Sequence, residues 1–249
     1  SPEKLEQALV DNPDAKIVAF VHAETSTGAL SDAKTLCRIA NQYGCINIVD
    51  AVTSLAGSEL RVDDWGIDAI YSGTQKCLSA MPGLSPISLS ERAIEKLTNR
   101  KTPVTSWFLD LNLVMGYWGK GAKRAYHHTA PVNTLYGLHE SLVMLTEEGI
   151  ENSWSRHQKN HILLRDGLNK LGIEYLVNES SRLPQLNSVL IPQDQDDLGV
   201  RSSLLENYNI DIGAGLGPLE GKIWRIGLMG HTSRKDNVGL LLSALKDTL

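Results

Sequence analysis

Two apolar segments, residues 16–22 and 46–50, flank a stretch that reads as a loop followed by a helix, and this spacing constrains the fold more than any other feature of the chain. Lys16-Ile17-Val18-Ala19-Phe20-Val21-His22 is a nearly continuous apolar run, the pattern of a strand covered on both faces. Thr25-Ser26-Thr27-Gly28 follows as a polar loop. A helix is predicted over residues 31–43, with Leu36, Ile39 and Ala40 on one face, Asp32 in its first turn and Gly44 at its end. The second strand, Ile46-Asn47-Ile48-Val49-Asp50, then completes a βαβ unit, the building block of a parallel sheet.

The carboxyl edge of that sheet carries chemistry. The second strand ends on Asp50, and open α/β folds bind their ligands outside the carboxyl ends of the strands. A third strand, residues 67–71, runs into the small polar turn Ser72-Gly73-Thr74-Gln75, which delivers the amine of Lys76. Taken alone, Lys76 also reads as a solvated surface charge, and Asp50 as a turn or N-cap carboxylate. Arg225 lies within the apolar run Ile223-Trp224-Arg225-Ile226-Gly227. A guanidinium flanked by strand formers is costly without a partner, and its planar fork suits a carboxylate, whether of a ligand or of an internal salt bridge.

Further elements follow the same logic. Residues 5–9 form a short amphipathic piece closed by Asn12-Pro13-Asp14, and residues 84–89 and 91–97 read as a strand and a short helix. A helix is compatible with residues 111–117. A long helical pattern over residues 132–145 breaks at Gly149 and resumes over residues 151–171, which marks a junction between a domain of residues 1–149 and one of residues 150–249. In the second part, strands are expected at residues 187–191, 209–212 and 223–228, with helices near 198–207 and 234–249.

At 249 residues and 42% hydrophobic content, the chain can bury a sizeable core. A net charge of −5, without Lys/Arg runs, argues against nucleic acid or an anionic membrane as the main partner. There is no apolar run of about eighteen residues, and Ser1-Pro2-Glu3-Lys4 has no apolar signal core, so the chain as given reads as soluble and untargeted. Cys37, Cys45 and Cys77 form no C-x-x-C pair, which suits a reducing, cytoplasmic compartment. A preceding segment carrying an organellar address is left open.

His22-Ala23-Glu24-Thr25-Ser26-Thr27-Gly28, Val49-Asp50, Ser72-Gly73-Thr74-Gln75-Lys76, Tyr126-His127-His128-Thr129 and Trp224-Arg225-Ile226-Gly227 occur in this order, and together they resemble the alanine–glyoxylate and serine–pyruvate aminotransferases. These are class V members of the fold-type I pyridoxal-phosphate enzymes. The resemblance implies an α/β fold with a mainly parallel sheet in a large domain and a smaller carboxy-terminal α+β domain. It implies pyridoxal 5′-phosphate as cofactor, small amino acids and 2-oxo acids as substrates, and a homodimer with shared sites. Members are longer at the amino end, so this chain is expected to start inside the large domain.

Carried onto this sequence, the resemblance makes Lys76 the Schiff-base lysine and proton shuttle, and Asp50 the partner that keeps the pyridine nitrogen protonated. Val52 would pack under the ring, Thr25 would contact its phenolic oxygen, and Gln75 would donate to the phosphate. Tyr126 and Thr129 would reach the phosphate of the neighbouring subunit, and Arg225 would grip the substrate carboxylate. Without the resemblance, Val52 is a core valine and Thr25 part of a good turn.

Other patterns are set aside. Gly213-Ala214-Gly215-Leu216-Gly217-Pro218 has its third glycine one place early for a dinucleotide loop, and reads as a flexible loop. His157 and His161 have i, i+4 spacing without the glutamate of a metalloprotease helix, and are expected to be exposed; the pair His127-His128 is not read as a metal site. Two alternatives to an aminotransferase remain. One is a cysteine-desulfurase-type lyase, which needs a mobile nucleophilic cysteine that none of the three fits well. The other is an inactive fragment or half of a two-chain assembly.

Overall fold

The structure is a computed structural model and describes residues 1–118 and 125–249. The first helix, α1 (Pro2–Asp11), starts on a proline whose missing N–H costs nothing in the first turn. β1 (Ile17–Val21) leads into a two-stranded antiparallel ribbon, β2 (Ala23–Glu24) and β3 (Ala29–Leu30), turned by Gly28 at φ 77°. α2 (Ala33–Gln42) is capped by Asp32, whose carboxylate accepts from the Thr35 N–H, and feeds β4 (Ile46–Asp50). β4 pairs in parallel with β1, as the βαβ pattern requires.

β5 (Ala69–Tyr71) lies parallel on the other side of β4, and β6 (Ile87–Leu89) pairs antiparallel with β5, giving the sheet order β1-β4-β5-β6. Phe20, Val49 and Ile70 share one face by register, and the latter two pack with Cys37, Ala51 and Ile67 into a buried cluster under α2. A polar pin fixes the start of β5. The buried Asp68 carboxylate accepts from the Asn47 N–H, Ser90 Oγ and Arg92, and the Asn47 side chain in turn bonds the Asp68 N–H.

After α3 (Glu91–Thr98) and α4 (Leu111–Trp118) come two helices in tandem, α5 (Val132–Glu148) and α6 (Ile150–Lys170). They are separated by Gly149, whose φ of 85° breaks the helical path. β7 (Leu186–Leu190), α7 (Asp197–Tyr208), β8 (Gly213–Ala214), β9 (Ile223–Gly227) and α8 (Lys235–Thr248) complete the chain. Their antiparallel sheet has the order β7-β9-β8. Its core is built on Trp224, fully buried among Leu164, Leu168, Val189, Leu204 and Leu245, with the indole N–H donating to Asp197.

Four expectations are corrected. Among the described residues β1 is an edge strand whose Ile17 and Ala19 are exposed while Val18 and Phe20 pack inward, so its apolar run is not that of a strand buried on both faces. Residues 209–212 form no strand: Asn209 takes the left-handed conformation at φ 55° that ends α7. Gly213 and Ala214 pair with β9 rather than forming a loop, and a Cβ on Gly215 would lie 1.9 Å from the Leu219 carbonyl, so this glycine serves a close approach of backbone. His157 and His161 are buried, because α6 packs its histidine face inward against β7 and the residues before α8. No helix among the described residues is long and apolar enough to cross a membrane.

Candidate active site

Strand pairing assembles the site's floor. Val21, Asp50 and Tyr71 are register partners at the carboxyl ends of β1, β4 and β5, so the three chains leave the sheet along one edge. The ladder continues past it: the His22 N–H donates to the Asp50 carbonyl at 2.9 Å and the Ala51 N–H to the Tyr71 carbonyl at 2.9 Å. The Asp50 carboxylate is held at both oxygens. The Val52 N–H donates to Oδ1 at 2.9 Å, and the Tyr71 hydroxyl to Oδ2 at 2.8 Å. Val52 itself is half-buried.

Lys76 stands half-buried in the turn five residues past Tyr71. Ser72 starts that turn by donating from Oγ to the Ala51 carbonyl at 2.9 Å, and Thr74 is buried with its hydroxyl on the Met81 carbonyl. The turn closes with the Ser79 N–H donating to the Lys76 carbonyl at 3.0 Å. Ser79 holds φ 59°, unusual for a residue with a side chain, and its Oγ accepts from the His231 N–H at 2.8 Å. Gly230 fits against this corner so closely that a Cβ there would lie 2.0 Å from Ser79 Oγ. Gln75 is exposed and folds over Gly73.

From the other sheet, Arg225 on β9 reaches the loop after β2. Its Nε donates to the Ala214 carbonyl at 2.7 Å and its Nη1 to the Thr25 carbonyl at 3.2 Å. No carboxylate lies within ion-pair distance of Arg225 among the described residues, so the internal salt bridge considered for it does not form. Thr25 and Arg225 are thereby brought together, on the loop that leaves the same edge as Asp50.

Tyr126 and Thr129 are not brought there. Both are exposed, and their hydroxyls bond each other. Between them, the buried His127 stacks on Trp107 with ring centroids 4.0 Å apart and shares a hydrogen bond of 2.8 Å with the His128 ring. Two groups at this edge escaped the sequence reading. In the sequence Tyr71 is only the end of a strand, and its position opposite Asp50 follows once the two strands are taken as parallel and coterminal. The buried His22 ring, lying edge-on to Trp65, is pushed down to about 4 by burial and has no partner for Nδ1 among the described residues.

Comparison with known proteins places the fold and the family. The structure superposes on that of alanine–glyoxylate aminotransferase from Nostoc sp. with a TM-score of 0.95 at 46% identity, covering 100% of this chain and 65% of that one. It matches pyridoxamine–pyruvate aminotransferase from Mesorhizobium loti with a TM-score of 0.91 at 27% identity, covering 100% and 63%. The fold is therefore that of the fold-type I pyridoxal-phosphate aminotransferases. Residues 1–233 match the aminotransferase class-V profile, and the chain belongs to that family.

Among curated relatives, alanine–glyoxylate aminotransferase of Callithrix jacchus is 39% identical over 249 residues, which are 99% of this chain and 60% of that protein. The (S)-ureidoglycine–glyoxylate transaminase of Bacillus subtilis is 37% identical over 252 residues, covering 94% and 60%. The chain thus spans about 60% of the length of the curated relatives it matches.

Proposed function

We propose that the chain carries the lysine-bearing part of a pyridoxal 5′-phosphate-dependent aminotransferase that moves an amino group from a small donor, alanine or serine, to glyoxylate or pyruvate in a ping-pong reaction. The observation that carries this reading is the convergence of Arg225, from the second sheet, on the Thr25 loop at the edge that bears Asp50. The names of the relatives support the donor and acceptor classes, and the class-V family supports the cofactor.

The residues present fit that cofactor. Asp50 offers an anchored carboxylate to a pyridine nitrogen, Lys76 an amine in a half-buried turn, and His22 Nδ1 a buried polar atom at the same edge still to be satisfied. When bound, the cofactor supplies an electron sink for charge left at the substrate α-carbon. Asp50 would hold the proton on the ring nitrogen, Val52 would support the ring and Thr25 would bond its phenolic oxygen. Gln75 would donate to the phosphate, with Tyr126 and Thr129 doing so across a dimer. Lys76 would attach the cofactor covalently and then, as a free amine, move the α-proton. Arg225 would bind the α-carboxylate with the N–H groups its two backbone bonds leave free.

A homodimer agrees with the outward-facing apolar side chains of Trp107, Phe108, Leu109, Tyr126, Val132 and Tyr136, a surface a second copy would cover. The separation of the four-stranded from the three-stranded sheet, with the break at Gly149, supports a division into residues 1–149 and 150–249. Three free, buried cysteines suit the cytoplasm. The same burial speaks against the lyase reading, since it pushes the Cys37 and Cys77 thiols up to about 12, far from a nucleophilic thiolate.

Borohydride reduction after addition of pyridoxal 5′-phosphate, followed by peptide mass spectrometry, tests the attachment: an adduct on Lys76 is expected, and one elsewhere, or none with excess cofactor, overturns the reading. Transfer from alanine to glyoxylate tests the substrates. Sulfide release from cysteine would favour the lyase.

A further inference from the structure

Asp50 and Tyr71 are the last residues of neighbouring parallel strands and stand opposite each other in register. Register partners project from the same face of a sheet about 4.8 Å apart, so strand pairing alone brings the phenol beside the carboxylate. The resulting bond is well formed, with the Tyr71 hydroxyl 2.8 Å from Asp50 Oδ2. Tyr71 is the one side chain that hydrogen-bonds this carboxylate among the described residues, and the other contact is the backbone N–H of Val52 on Oδ1.

A carboxylate with one donor on each oxygen cannot rotate about its Cβ–Cγ bond without losing both, and each oxygen keeps a lone pair for a further partner. The phenol commits its only proton to this bond. Its own ionisation is pushed above the ordinary tyrosine value, by the Asp50 hydrogen bond first and by burial second. The ring has little packing role to explain its presence, since Tyr71 is 41% exposed and lies outside the buried clusters.

Resting on the reading of Asp50 as the partner of the cofactor's ring nitrogen, we propose that Tyr71 is a positioning residue whose hydroxyl fixes the Asp50 carboxylate in the orientation that meets that nitrogen. It touches neither substrate nor reacting atoms and acts only through Asp50. Removal of the hydroxyl leaves the acid tethered by Val52 alone, free to turn and to be hydrated.

The test is equilibrium binding of two ligands to the wild-type chain, Tyr71→Phe, Asp50→Asn and the double variant, followed by tryptophan fluorescence, with urea midpoints confirming the fold. One ligand is pyridoxal 5′-phosphate and the other its 1-deaza analogue, in which a C–H replaces the ring nitrogen. Tyr71→Phe is expected to weaken the natural cofactor roughly tenfold, in keeping with a hydrogen bond to a charged group. It should change the deaza analogue less than about twofold and add nothing to Asp50→Asn. Equal losses for both ligands, or effects that add in the double variant, would show that Tyr71 acts apart from Asp50 and overturn the proposal. If the wild-type chain itself binds both ligands alike, the pairing of Asp50 with the nitrogen fails first and takes the proposal with it.

Discussion

Arg225 Nη1 lies 3.2 Å from the carbonyl oxygen of Thr25, a hydrogen bond that spans 200 positions of sequence. It joins the second sheet to the loop that leaves the first. Among the described residues, both bonds the guanidinium makes are to backbone carbonyls and no carboxylate competes for it.

Arg225→Lys keeps the charge but loses the planar fork. The expected result is a fall of about 10- to 100-fold in kcat/KM for an amino-acid donor, the equivalent of roughly 1.5–3 kcal/mol for a charged hydrogen-bonded contact. Cofactor uptake should change less than twofold. Single-turnover absorbance with alanine, against a cofactor titration of the same variant, separates the two effects.

The three thiols should be silent in the folded chain. Cys37, Cys45 and Cys77 are buried, and Cys77 Sγ also donates to the Thr53 carbonyl. Titration with a thiol-specific disulfide reagent at pH 8 is expected to give no fast reaction before unfolding, and three equivalents after it.

Arg92 and Asp68 form the ion pair of the buried pin beneath β5. Burial alone would push the Asp68 carboxyl up, but hydrogen bonds from Arg92, the Asn47 amide and Ser90 outweigh it and leave it below the ordinary value. A depressed carboxyl stabilises the fold at pH above its unfolded value, about 3.9, and that contribution disappears as pH falls through the folded value. Arg92→Ala strands the buried carboxylate and is expected to cost about 2 kcal/mol, less than a fully enclosed pair because Arg92 is partly exposed. It should also move acid unfolding to higher pH. Urea titrations from pH 3 to pH 7 measure both.

His157 sets a second pH dependence. Its Nδ1–H donates to the Ser153 carbonyl and its Nε2 accepts from the Gly230 N–H, so the ring is neutral by construction. Burial pushes it down to about 4, as it does for His22. Because the unfolded imidazole takes up its proton near 6.5, stability is full above that pH and declines as pH falls toward 4, by up to about 3 kcal/mol for each ring. His157→Gln should flatten part of that slope in urea midpoints measured between pH 7 and pH 4.

Much of the architecture could be read before any coordinates. The βαβ order and the break at Gly149 are encoded locally, by apolar period and a glycine conformation, whereas Asp32, expected in the first turn of α2, is its cap. What escaped depends on distant partners. Residues 209–212 have strand-like composition, but Asn209 turns left-handed to close α7, and Ile212 is buried in the core with residues of α6, α7 and α8. His157 and His161 look like surface residues in a polar helix, and are buried because Gly230 and Asn187 answer their ring nitrogens. The phenol on Asp50 is invisible until two strands are aligned end to end.

Gly230 has a last consequence for how the molecule is made. The corner after Lys76 leans on backbone 151 residues further along the chain, through Gly230 against Cys77 and Ser79 and through the amide of His231. During synthesis Lys76 is made before position 230, so for a time the turn exists without its keystone. A nascent or prematurely terminated chain that stops short of position 230 therefore presents the amine on an unfinished turn, which closes only once that glycine has been added.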